Sequence, residues 1–238
     1  MTKYELGKLP AVRPHGLLEL SVYANGKLPA PPKSVNYYAG LSLPIDGNDK
    51  YGCCVMADVA HQLAAWNAEV GEDIHVPDGE EVVSTYFDLT GGGDTGLNES
   101  EVLQTWHRSG LFGSSIAAYA PVNIKDVTAV QQAIAFCGGA MFGIACPQSA
   151  QEDFAAGRPW TYDPSSPVLG GHAIAPLGYD PTYVYCATWG GVAAVTYPFL
   201  AAMLDECWAI IPQAFVDAGK APDIDLATLQ ADLSALAY

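Results

Sequence analysis

The sequence predicts an α+β protein, with helices concentrated in its first half and the short strands of an antiparallel sheet in its second. Three observations predict it. From Cys54 to about Val70 the apolar residues Val55, Met56, Val59, Ala60, Leu63 and Trp66 recur at helical spacing, and Gly71 stands where such a helix ends. Asp78 with Glu81, and Asn98 with Glu101, have the spacing of a helix cap and its third helical residue. Beyond Gly138 and Gly139 the pattern changes to short apolar runs, Ala140–Cys146, His172–Tyr179, Thr182–Trp189, Val192–Tyr197 and Cys207–Pro212, parted by Gly, Pro and Asp.

Taken in order, residues 1–46 are rich in proline and poor in periodicity, which predicts an extended arm lying on a body, with Leu28–Pro32 stiffened toward polyproline geometry. The tetrapeptide GKLP occurs twice in it, at Gly7–Pro10 and Gly26–Pro29, too short a match for a solenoid repeat. Residues 47–213 form the main domain. Its helices are expected over 54–70, from 78, from 98 to near Gly110, and over 126–136. Residues 214–238 predict a helical tail: Ile224, Leu226, Leu229, Leu233 and Leu236 make an apolar stripe opposite Asp223, Asp225, Gln230 and Asp232. A helix of about 14 residues is marginal in water. Its leucines must be buried, on its own body or on a partner.

Bulk composition narrows the function. Half of the 238 residues are hydrophobic, enough for a core that needs no disulfides. A net charge of -16 repels a nucleic-acid backbone, so no nucleic-acid partner is expected. The start of the chain lacks the apolar core of a secretory signal, and no stretch reaches the roughly 18 apolar residues of a membrane span. The cysteines at 53, 54, 137, 146, 186 and 207 show no metal-type pairing and are read as free thiols of a reducing compartment. No histidine and carboxylate spacing suggests zinc, and no dinucleotide fingerprint is present. Thr90–Gly96 is glycine-rich but lacks the lysine of a phosphate loop, so neither cofactor nor metal is expected.

The candidate chemistry lies in two places. Cys54 falls at a predicted helix N-terminus, where partial positive charge and unpaired N–H groups stabilise a thiolate. His172 opens an apolar strand after a glycine pair, and the segment Cys186–Gly191 begins one short turn later. His61, two helical turns beyond Cys54, is too far along the axis to serve as its base. In this order, Cys54, His172–Tyr179 and Trp189 with Gly190 resemble the motifs of papain-like cysteine peptidases. The resemblance spans roughly residues 47–212 and implies a two-lobed papain-like fold.

It also implies that Cys54 attacks an acyl carbon and that His172 holds the thiolate as an ion pair and then protonates the leaving group. The family's oxyanion glutamine maps to Asn48, whose shorter amide can donate the same hydrogen bond. Counting from Cys53 would instead select Gly47, which has no side chain, so Cys54 is the nucleophile and Cys53 a neighbour packed the other way. The asparagine that orients the family's imidazole maps to Ala187, which has nothing to offer. Thr188 through its hydroxyl, or Asp163 from a loop, is left to orient the ring.

Two functions follow from the resemblance. One is a thiol hydrolase, a peptidase or amidase that works through an S-acyl intermediate on a peptide or amide substrate. The other is a papain-fold structural or adhesive protein, catalytically weak or silent, in an assembled particle such as a phage virion, held to protein partners through its arm and tail. The proline-rich start and Gly47–Cys54 also resemble proteins encoded by actinobacterial phages. A cytoplasmic or virion-associated location is expected. The arm before Cys54 is shorter than the leader of secreted members, so an exported digestive protease is not.

Overall fold

A computed structural model describes residues 4–71 and 74–236. The first half runs α1 (Leu20–Ala24), β1 (Val35–Asn36), α2 (Cys54–Val70), α3 (Gly79–Leu89), α4 (Glu99–Ser109), β2 (Ile116–Pro121) and α5 (Val127–Cys137). The second runs β3 (Ala140–Pro147), α6 (Gln148–Ala155), β4 (Val168–Tyr179), β5 (Tyr183–Thr188), β6 (Gly191–Thr196), α7 (Tyr197–Met203), β7 (Leu204–Pro212), α8 (Gln213–Asp217) and α9 (Leu226–Ala235). Helices first and sheet later is the expected α+β arrangement.

The long helices begin and end where their caps stand. Gly71 closes α2 in the left-handed region, at φ 64°, its N–H donating to Asn67 O. Asp78 accepts from the N–H groups of Glu80 and Glu81, while Glu81 accepts in return from the N–H of Asp78. Asn98 caps α4 by accepting from the N–H of Ser100, and Asp126 caps α5 by accepting from those of Thr128 and Ala129, both without the reciprocal bond among the described residues. From Cys54 through Leu63 every residue of α2 is buried, so it is the central helix.

The strands pair antiparallel in the order β2-β7-β3-β4-β5-β6, with β1 added to β4. Strand β2 was not foreseen. Its sequence IAAYAP is alanine-rich and ends on proline, yet all six residues are buried beside β7. The register fixes which residues share a face. Ile144 pairs with His172 and Ala175 with Ala187. Because side chains alternate along a strand, His172, Ile174 and Thr188 project to one face and Ala175 and Ala187 to the other.

The arm and tail are both built into this body. Val35 and Asn36 pair with Tyr179 and Gly178, and α1 packs beside α9. Leu229, Leu233 and Leu236 are buried within the chain itself, Gln230 Nε2 donates to Ala117 O at 3.1 Å, and Tyr23 Oη donates to Asp232 at 2.8 Å. Of the two destinations open to the tail's leucines, these three take their own body. Among the described residues no helix is long and apolar enough to cross a membrane.

Candidate active site

Cys54 is the first residue of α2 and is 1% exposed. Its Sγ accepts from the backbone N–H of Ala173, 3.5 Å away, which places the thiol against the residue that follows His172. Cys53 turns the other way and donates to Asp46 O at 3.3 Å. His172 is fully buried on β4, with Nε2 2.7 Å from Thr188 Oγ1 and with no hydrogen-bond partner for Nδ1 among the described residues. Asp163, the other candidate for orienting the ring, is exposed and accepts from Ser165 instead. His61 is buried beside Pro44 O, at 2.9 Å, and Asp46, at 3.4 Å.

Trp189 completes the imidazole's surroundings. It stacks on His172 with ring centres 4.4 Å apart at 17°. The turn Trp189-Gly190 joins β5 to β6, and both residues have positive φ, 45° and 82°. A two-residue hairpin turn of this kind favours Asn-Gly. A tryptophan held there, under the imidazole, is backbone strain of the sort that collects at functional sites.

The N-terminal arm lies across the thiol. Lys8 N–H donates to Gly171 O at 3.1 Å, Leu9 N–H to Leu97 O at 2.9 Å, and Leu97 N–H to Gly7 O at 2.9 Å, so the arm is gripped from both walls. The Gly7 N–H lies near enough to the Cys54 sulfur to favour its charged form. Tyr4 stacks on Trp189 at 4.6 Å and 10°. The passage is made of glycines: a Cβ on Gly7 would run into the Gly52 carbonyl, one on Gly96 into Gly7, and one on Gly171 into Lys8. Asn48 Nδ2 donates to Glu5 O of the arm at 3.2 Å and to Tyr51 O at 3.0 Å. Its amide is therefore engaged while the arm is seated.

Burial sets the charge of the covered site. It pushes the Cys54 thiol up to about 11, against the opposing pull of the Ala173 and Gly7 N–H groups, and pushes the His172 imidazole down to about 3. Both groups are neutral near pH 7 in this arrangement. The ion pair implied by the family pattern requires water or developing charge to reach the cleft.

Sequence reading passed over Lys8. It is 5% exposed, and its ammonium lies 3.0 Å from Asp205 Oδ2 and 2.8 Å from Glu206 Oε1. Burial lowers its proton affinity, but Glu206, Glu99 and Asp205 outweigh that and hold it above the usual lysine value. The repeated GKLP was the available signal, since its first copy is the segment that enters the cleft.

Neither a protein-family model nor a curated protein sequence matches the chain. Solved structures do. Xylellain, a cysteine protease from Xylella fastidiosa, is 15% identical over 88% of this chain and 97% of its own, with a TM-score of 0.69. Digestive procathepsin L 3 from the larval midgut of Tenebrio molitor is 11% identical over 88% of this chain and 75% of its own, at 0.58. The Carica candamarcensis cysteine protease CMS1MS2, solved in complex with E-64, is 15% identical over 76% and 98%, at 0.54. The chain has the papain-like fold.

Proposed function

We propose that the chain is a thiol hydrolase, a peptidase or amidase, in which Cys54 and His172 act as the reacting pair and the arm must leave before substrate enters. What supports this reading is that the thiol at the start of α2 sits on the N–H next to His172, a ring already held by Thr188 and Trp189. With Nε2–H donating to Thr188, the Nδ1 lone pair takes the thiol proton as sulfur attacks the carbonyl carbon. Lifting the arm frees one N–H of Asn48, which with the N–H groups at the start of α2 can receive the oxyanion. His172 then gives its proton to the leaving amine, the C–N bond breaks, and water cleaves the thioester to restore the thiol.

A neutral, covered thiol also favours a second reading, a papain-fold protein whose work is structural or adhesive and whose site is silent. Treatment with an epoxide probe separates the two. The hydrolase reading expects one adduct, mapped to Cys54, in a Lys8→Ala chain whose arm is loosened, and no adduct after His172→Ala in that background. An opened, folded chain in which Cys54 reacts no faster than a small free thiol supports the silent protein.

A further inference from the structure

A buried ammonium is strongly disfavoured unless charged groups surround it, and Lys8 is buried to its tip. Asp205 and Glu206 come from β7, and the indole N–H of Trp208 donates to Glu206 Oε2 at 2.8 Å, which fixes that carboxylate. Glu99, at the start of α4, is fully buried, and neither of its carboxyl oxygens has a hydrogen-bond partner among the described residues. Gly143 of β3 lies under the lysine stem, where a Cβ would run into Lys8 Cε. The acids and the bare glycine thus make a slot with the length and charge of a lysine side chain. Its walls belong to β3 and β7, with the Glu99 carboxyl of α4 acting on the ammonium through its charge, whereas its occupant belongs to an arm held in the cleft by backbone hydrogen bonds.

We propose that this slot is the specificity pocket of the cleft: it takes the lysine or arginine side chain of a peptide ligand whose neighbouring residue, lying at the thiol, is glycine, and Lys8 with Gly7 fills it as a resident mimic. The Gly7 N–H faces the sulfur and the Gly7 carbonyl is held by Leu97, so the mimic is seated without being aligned for attack. That the free ligand is a substrate rests on the hydrolase reading; that the slot selects it does not.

The test uses a fluorescein-labelled peptide of residues 6–10, LGKLP, bound to the full-length Lys8→Ala chain and followed by anisotropy, a readout that needs no reactive thiol. Replacing the peptide's lysine by norleucine is expected to weaken binding at least about 10-fold, and arginine to bind within about 10-fold of lysine. Combining Glu99→Gln with Glu206→Gln should erase the preference for lysine over norleucine. If Lys8→Ala does not fold, Lys8→Ser, whose side chain is also too short to reach the acids, leaves the slot open for the same assay. Equal binding of the lysine and norleucine peptides, or no binding of either to a folded variant, would overturn the proposal. Lysine preference without any turnover would keep the pocket and discard the hydrolase; turnover indifferent to lysine would do the reverse.

Discussion

Thr188 and Ala187 are neighbours in β5 with opposite surroundings. Thr188 faces His172, with its Oγ1 2.7 Å from Nε2, while Ala187 faces Ala65, Ala175, Leu177 and Leu43 in a separate apolar cluster. Thr188→Val keeps the shape and removes the hydroxyl, so it should slow Cys54 acylation by roughly 10²-fold, less than the ~10⁴ of a lost anionic partner, while Thr188→Ser restores it. Ala187→Asn, which motif matching would suggest as a repair, should instead bury an amide among apolar atoms and destabilise the fold by roughly 1–3 kcal/mol. Thermal melts check the second variant and acylation rates the first. The sequence could offer Thr188 only as one of two alternatives. Which residue faces the ring is a matter of strand register, and register is set by pairings between β4 and β5 that motif spacing does not contain.

Helices α2 through α5 were legible because their signals are local: a period and a closing glycine for α2, a capping pair for α3, and a cap with a closing glycine for α4 and α5. The short helices α1, α6, α7 and α8, of five to eight residues, have too few turns to show a period, and β2 hid behind its alanines. Proline and the lack of a period predict an extended arm over residues 1–46; the described part, from residue 4, carries helix α1 within it, and its place in the cleft was not legible. Its grip is made largely by backbone groups of Gly7, Lys8 and Leu9 against Leu97 and Gly171, and backbone hydrogen bonds leave no pattern in side chains. Gly7 is the point where this element can be broken. Gly7→Ala drives a methyl group into the Gly52 carbonyl, so the arm should lift and Cys54 should alkylate at least about 10-fold faster near pH 7, with the melting temperature lowered only by the loss of the arm's contacts. Alkylation unchanged in a folded Gly7→Ala chain would mean that the arm does not guard the thiol.

All six cysteines are free and buried, and burial holds each thiol well above its ordinary value: Cys54 to about 11, Cys53 and Cys137 to about 12, Cys146, Cys186 and Cys207 upward as well. In the unfolded chain they ionise near about 8.5. Above that pH the folded state binds more protons than the unfolded one, so stability falls as pH rises. Six thiols at about 1.4 kcal/mol per pH unit each lose on the order of 8 kcal/mol per unit, against a total of roughly 5–15. Alkaline unfolding followed by circular dichroism should therefore be complete within about two units above pH 8.5, whereas a chain still folded near pH 11.5 would show that these thiols ionise in place. That a latent Cys54–His172 pair lies beneath a removable arm is a claim about ionisation, and the pH profile of Cys54 alkylation reads it. In the full chain the rate should stay low until the fold opens. In Lys8→Ala it should level off below about pH 7.5, the range of an ion-paired thiol, and His172→Ala in that background should return it toward about 8.5. A Lys8→Ala profile that overlays the full chain, or one that His172→Ala leaves unmoved, would contradict the claim.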